Sequence, residues 1–287
     1  VTSTQAQLPQ APGVRSDKLF HIVLGALGGF YVLMIVLMLL ADTVYMVESD
    51  SGAEGASPLL RPIMPIISAL SKPEIRYSLQ LSLISCSVTA LLSLWVAVPL
   101  GYLLSRHRFP GRFLVDAIVD IPIVLPPLVV GLSLLILFQY APFSWISRSV
   151  VYQVPAVILA QFMVSAAFAV RTMRSTFDQI DPRREQVALT LGCTGFQAFA
   201  MVALPQAGRG MLTAATLAWA RSLGEFGPLL VFAGATRNKT EVLSTTVFLE
   251  LSIGNIQAAV AVSLLLVFAA VSVLILARAL GIRSLLA

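Results

Sequence analysis

The sequence predicts an all-α, polytopic membrane protein with six transmembrane helices, and three observations point there. Of 287 residues, 57% are hydrophobic and only 11% charged, whereas soluble domains carry about a quarter charged residues. Six stretches stay apolar over the roughly 20 residues that a bilayer-crossing helix needs. Basic residues also fall unevenly between alternate loops, as membrane orientation demands. A water-facing surface cannot be built from so few charges, so most of the chain faces lipid. The net charge of +5 then reports orientation first and gives no ground for a nucleic-acid partner.

Residues 1–18 read as a polar leader carrying Arg15 and Lys18, followed by the first span at 19–41. That apolar run is longer than the 7–15 residues of a secretory h-region, so it is read as a retained helix. Residues 42–76 form an external loop, polar through Glu48 and Glu54, then punctuated by Pro58, Pro62, Pro65 and Pro73, with a short interfacial helix at 63–70. The core, 77–280, holds five more spans at 79–104, 117–138, 150–170, 211–232 and 256–280. Between the fourth and fifth spans lies the largest internal loop, 171–210, and residues 281–287 form a tail.

Six spans put both termini on one side. Arg15, Lys18, Arg106, Arg108, Arg112, Arg171, Arg174, Arg183, Arg184, Arg209, Arg278 and Arg283 share that side, against Arg61, Lys72, Arg76, Arg148, Arg237 and Lys239 opposite. This twofold excess assigns both termini to the cytoplasm.

Several chemistries lack their parts. A phosphate-cradling loop needs Gly-Lys before Ser or Thr, yet Lys18, Lys72 and Lys239 follow Asp17, Ser71 and Asn238. Neither a Gly-x-Ser-x-Gly elbow nor His-Glu-x-x-His is present. Cys86 lies in an apolar run and Cys193 in a polar loop, while His21 and His107 are too scattered to hold a metal. The expectation is a transport subunit with no catalytic residue, no metal and no cofactor of its own. Asp116 and Asp120, one turn apart with Arg108 and Arg112 just before them, read as a local ion-pair cluster rather than a proton relay. A secondary transporter driven by an ion gradient is the alternative class. It would need acids at the midplane and an inverted repeat, and neither is evident.

The internal loop is the most informative segment. Asp181-Pro182 starts a helix, a side-chain cap followed by proline where no amide hydrogen is needed. Gly192 ends it in the left-handed conformation, and a second short helix carries Phe196 and Phe199 before Leu204-Pro205. The product is a helical elbow with two exposed aromatics, either entering a groove on a partner or resting on the membrane surface.

This segment resembles the EAA loop of permease subunits of bacterial ATP-binding-cassette importers: Glu-Ala-Ala, three residues, Gly, nine residues, Ile, one residue, Leu-Pro. Aligned on Gly192, the chain supplies Gln186-Val187-Ala188, then Val202 and Leu204-Pro205; Gln186 stands for the leading Glu, with Glu185 one position earlier. Leu125-Pro126-Pro127-Leu128-Val129-Val130-Gly131 and Ala220-Arg221-Ser222-Leu223-Gly224-Glu225-Phe226-Gly227 are similar to stretches of molybdate, tungstate and sulfate permeases. The resemblance runs from about Glu74 to Leu280. It implies the type I importer permease (MetI-like) fold and an inner-membrane homodimer forming a pathway for a tetrahedral oxyanion, molybdate first. It also implies a cytoplasmic ATPase dimer gripping the elbows, through Glu185, Gln186, Val187, Ala188, Gly192, Phe196, Phe199, Leu204 and Pro205. A periplasmic or lipid-anchored oxyanion-binding protein would deliver the substrate.

Arg221 and Glu225, four residues apart, share one helix face near the middle of a span, where a charge is functional or paired. Two readings stand: an ion pair that fixes packing, or a pair bordering the pathway, with Glu225 restraining Arg221 from trapping the anion. Pro126, Pro127 and Gly131 break the third span, and Gly224 and Gly227 the fifth. Broken backbone at membrane depth must be buried in protein or line a cavity, which assigns these residues to the pathway and its gate.

Overall fold

The computed structural model describes residues 15–49 and 70–286, with side chains described over 19–46 and 70–279. The expected interfacial helix at 63–70 lies almost wholly outside them. Contacts divide the chain into two units, Val1–Ala56 and Ser57–Ala287. The first contains α1, Arg15–Ser49, whose Leu19–Met46 stretch is long and apolar enough to cross a membrane.

The second unit is built on α2, Pro73–Arg106, and α5, Val154–Gln179. Each starts with proline in its first turn, where the missing amide hydrogen costs nothing. Ser78, Ser82, Ser85, Thr89 and Ser93 put hydroxyls on the buried face of α2, and Ala90, Ala97 and Gly101 keep that face thin. A side chain at Gly101 would sit 2.8 Å from Met173 Cβ and 2.9 Å from Arg174 N, so the backbones meet directly. Lipid tails are as apolar as leucine, so this pairing is held by close packing and interhelical hydrogen bonds rather than by expulsion of water. Thr89 donates to Gln161 Oε1 at 3.3 Å, and Ser93 and Ser165 hydroxyls lie 3.1 Å apart.

Between these helices the chain forms α3, Arg112–Val124, and α4, Pro127–Leu137, bent by 112° at the Leu125-Pro126 break. A residue preceding proline is pushed out of the helical region; Leu125 and Pro126 both precede one, with ψ of 140° and 131°. The single span expected at 117–138 is therefore two arms. At 1.5 Å per residue α4 is only about 16 Å long, well short of the bilayer core.

The span expected at 150–170 begins later, after Tyr152 at φ 56°, and α5 carries Arg171 and Arg174 inside the helix. The internal loop therefore starts at Ile180 rather than at 171. Beyond it come α6, Arg183–Thr190, and α7, Gly195–Ala198, which continues as a π-helical stretch, Phe199–Ala203, and a last turn, Leu204–Gln206. The span expected at 211–232 is α8, Gly208–Leu223, then a break and a π-helical turn, Leu229–Ala233. Then follow α9, Leu243–Ser252, and α10, Ile256–Leu286. Among the described residues four helices are long and apolar enough to cross a membrane, or five counting the bent pair; of the six expected spans, the third and fifth are broken.

Two apolar cores result. One gathers Leu104, Met173, Phe177, Ala203, Ala214 and Trp219 at the elbow end. The other gathers Leu134, Phe138, Val157, Leu229 and Phe232 around the broken segments.

Candidate functional site

The elbow is assembled from local signals. Asp181 Oδ1 accepts from Arg183 N at 2.9 Å, opening α6. At the far end Gly192 takes φ +91°, Gly192 N donates to Leu189 O and Cys193 N to Ala188 O. This paired pattern satisfies the last carbonyls of a helix and favours glycine. Thr194 and Gln197 then exchange backbone and side-chain hydrogen bonds at 3.3 and 2.8 Å, a capping box that opens α7.

Long-range contacts fix the elbow to the membrane helices. Glu185 turns inward, its Oε1 2.9 Å from Arg106 Nε and its Oε2 accepting from the Tyr102 hydroxyl at 2.6 Å. Arg106 Nη2 donates to Ile180 O at 2.8 Å, so one guanidinium holds both the start of the loop and α6. Both charged side chains are nearly buried, at 11% and 9% exposure. Arg184 donates to Gln206 at 2.6 Å across the bend.

On the outer face Gln186, Val187, Leu191, Phe196 and Pro205 are exposed, Phe196 by 77%, while Leu204 is half-buried and Ala188 is buried. The expectation of two exposed aromatics needs correction. Phe199 packs inward, its ring 4.6 Å from Tyr102 and 6.3 Å from Phe177, so Phe196 is the elbow's one exposed ring. The leading acid is also displaced: Gln186 faces outward, and Glu185 makes the ion pair.

The broken spans meet each other. A side chain at Gly131 would lie 2.7 Å from Pro228 Cα, and one at Gly227 would lie 3.0 Å from Leu128 N and 3.2 Å from Pro127 Cβ. Two irregular backbones therefore interlock through glycines, each satisfying the demand that broken backbone be covered by protein. Gly224 has a different part: a side chain there would meet nothing nearer than its own helix's carbonyls at 3.9 Å, and it ends α8. Pro126 caps α4 from the exposed side.

Beside this contact Arg221 Nη1 lies 2.6 Å from Glu225 Oε1. Glu225 is 1% exposed and stands in the break rather than on the helix. Its Oε1 makes no hydrogen bond, so the attraction is an ion pair without donor alignment. Arg221 Cζ also sits 5.5 Å from the Phe168 ring centroid, a cation–π distance. The Glu225 carbonyl accepts from Ser244 at 2.6 Å, which ties the break to α9.

The acid pair at the elbow end is ionically matched as expected, with different partners. Asp116 pairs with Arg174, and Asp120 with Arg171 at 2.8 Å; both arginines come from α5 instead of the neighbouring Arg108 and Arg112.

These features lie within residues 97–283, the stretch that matches the model of the family described as binding-protein-dependent transport system inner membrane component. The chain belongs to that family. The permease is 33% identical over 199 residues to the sulfate transport system permease protein CysT of Escherichia coli (strain K12), covering 68% of this chain and 72% of that one. It is 36% identical over 168 residues to the molybdate/tungstate transport system permease protein WtpB of Thermococcus kodakarensis, covering 58% and 65%. Among solved structures, a bacterial ABC transporter involved in import of the acidic polysaccharide alginate matches with TM-score 0.69 at 16% identity, over 94% of this chain and 96% of that one. A second alginate transporter structure, in complex with an alginate pentasaccharide-bound periplasmic protein, matches with TM-score 0.59 at 16% identity, over 88% and 94%. The permease thus has the importer membrane fold that its sequence resembles.

One cluster escaped the sequence reading. Arg237 Nη1 lies 2.7 Å from Glu74 Oε2, and its Nη2 2.9 Å from Glu250 Oε1, clamping the start of α2 to the end of α9. Buried Glu241 lies alongside with Oε2 unpartnered. Burial pushes its carboxyl above the usual range, with Thr246 and Arg237 opposing and Glu74 and Glu250 adding to the rise. Four acids and bases from distant positions carry no spacing signal; only their shared assignment to external loops hinted at it.

Proposed function

We propose that the permease forms, as a homodimer, the translocation pathway of an ATP-driven importer for a tetrahedral oxyanion, molybdate first. In this reading both termini and the elbow are cytoplasmic, in line with the twofold excess of basic residues on that side. A separate ATPase subunit grips each elbow, and a periplasmic or lipid-anchored binding protein presents the anion from outside. The observation that carries the proposal is the elbow: an exposed apolar tip at Phe196, on a frame tethered by Glu185 to Arg106 and Tyr102.

Such a frame can transmit force. A partner moving Phe196 moves α6 as a body, and the nearly buried Arg106–Glu185 pair passes that motion to the end of α2. At the other end Gly131 and Gly227 leave the two broken spans close enough that a small shift separates or closes them. Packed contacts of this kind are bistable rather than continuously deformable. Arg221, partly neutralised by Glu225, is the cation that an anion would meet there: attractive enough to admit it and too compensated to hold it. The chain itself forms no covalent intermediate, and nucleotide hydrolysis belongs to the partner.

Sulfate or thiosulfate is a second reading, supported by the sulfate permease relative, which covers more of this chain than the molybdate/tungstate one; tungstate is the remaining one. Reconstitution with the cognate ATPase and binding protein tests the proposal. ATP-dependent uptake of molybdate, competed by tungstate and weakly by sulfate, is the expected result. Uptake by the permease alone, driven by an ion gradient, would refute it, and preference for sulfate would replace the substrate.

A further inference from the structure

At the elbow end of the molecule, α8 begins and the apolar part of α10 finishes side by side. Arg209 lies in the first turn of α8 and Arg278 near the end of α10, and both line one groove of about 400 Å³. Below them its walls are Leu212, Leu217, Ala220 and Leu274, and no acidic residue lines it. From Arg209 to Ala220 the slot follows α8 for roughly 16 Å at 1.5 Å per residue.

Arg209 and Arg278 have no acidic partner among the described residues, a property they share with Arg76, Arg108, Arg112, Arg148, Arg183 and Arg184. What sets these two apart is that both line one largely apolar groove. A single arginine at a span end extends to the water and needs no partner. Two such cations at the mouth of one apolar slot make a different object, with a charged end and a hydrocarbon end. A small inorganic anion would match the charges and leave the slot empty. An apolar helix would fill the slot and leave two cations uncompensated.

We propose that this groove binds one anionic phospholipid, with its phosphodiester between Arg209 and Arg278 and an acyl chain along Leu212, Leu217 and Leu274. Basic pockets between membrane helices on the cytoplasmic side recognise lipid head groups in this manner. The lipid would then join the helix leading out of the elbow to the last span, at a point that moves if the elbow is a lever.

The test uses the permease with its ATPase subunit in neutral detergent, and phosphatidylglycerol as the probe, counted by native mass spectrometry. One phosphatidylglycerol per permease chain is expected to survive delipidation. Arg209→Gln with Arg278→Gln should weaken its retention at least tenfold, and Leu217→Trp, which fills the slot and spares both charges, should do the same. Phosphatidylcholine should compete poorly, and millimolar inorganic phosphate or sulfate should not displace the lipid. Unchanged retention in both variants would overturn the proposal. So would equal binding of phosphatidylcholine, displacement by the inorganic anions, or a cross-link at Leu274→Cys showing that a second copy covers the groove. Melting temperatures of the variants within a few degrees of wild type guard against misfolding as the cause.

Discussion

Replacing Glu185 by Ala should disconnect the elbow from the membrane helices. The carboxylate holds Arg106 at 2.9 Å and the Tyr102 hydroxyl at 2.6 Å, in a site where both charged side chains are about 90% covered. Removing one partner of a buried pair costs about 3–5 kcal/mol, mostly because the other charge is left uncompensated. Partial exposure and the remaining Arg106 bond to Ile180 put the expected cost at the lower end, about 3 kcal/mol. At 1.4 kcal/mol per factor of ten, that raises the population of detached elbows by about two orders of magnitude. Hydrogen exchange should therefore speed up in α6 and α7 while α2 and α5 keep their protection, and ATP-driven uptake should fall by more than tenfold. Replacing both partners, Arg106→Met with Glu185→Met, should be milder in stability than Glu185→Ala alone, since no orphaned charge remains. Wild-type uptake and unchanged exchange in Glu185→Ala would refute the tether.

Further outcomes separate the roles of neighbouring residues. Phe196→Ala should weaken binding of the ATPase subunit by about 2 kcal/mol, or roughly thirtyfold, with little change in melting temperature. Phe199→Ala, which removes a ring packed on Tyr102 and Phe177, should instead cost stability by about 3 kcal/mol, read as a lower melting temperature. Gly131→Ala drives a methyl to 2.7 Å from the Pro228 backbone; it should cost about 1–3 kcal/mol and reduce uptake severalfold without releasing the ATPase. Arg221→Gln should lower transport while leaving assembly intact, and wild-type uptake by the assembled variant would exclude Arg221 from the pathway. For Glu241 the carboxyl range is raised in the folded state by burial, so the unfolded chain loses its proton first and stability falls as pH rises above about 4.3. Glu241→Gln should remove that loss, so its advantage in melting temperature should grow as pH rises above about 4; a constant difference would contradict the assignment.

The elements readable from sequence are those specified locally. Asp181-Pro182 and Gly192 are signals set by their immediate neighbours, and the helix they bound formed where the spacing put it; the Thr194–Gln197 capping box that opens the second helix is equally local but went unread. Arg221 and Glu225 pair as their four-residue spacing suggested, although α8 ends at Leu223 and Glu225 reaches Arg221 from the break instead of from the same helix face. The misreadings share a different cause. Hydropathy averages over a window, so Pro126 and Pro127 looked like defects in one span rather than a corner of 112°. Phe199 and Phe196 have the same chemistry three residues apart, and only Tyr102, contributed by α2, decides that Phe199 turns inward. Likewise Asp116 chose Arg174 over the sequence-adjacent Arg112 because α5 passes beside α3. The Gly131–Pro228 and Gly227–Leu128 approaches join segments roughly a hundred residues apart, and nothing in either segment names its partner.

The importer reading stands on Phe196 seating in a separate nucleotide-hydrolysing subunit. A cysteine at that position, Phe196→Cys in a Cys193→Ser background, tests it most directly when cross-linked in membranes carrying the whole transporter. A cross-linked product joining the permease to its ATPase subunit, with a yield that changes when ATP is added, is the expected result. A cysteine that instead reacts only with lipid-dissolved reagents, or only with its own chain, would contradict it.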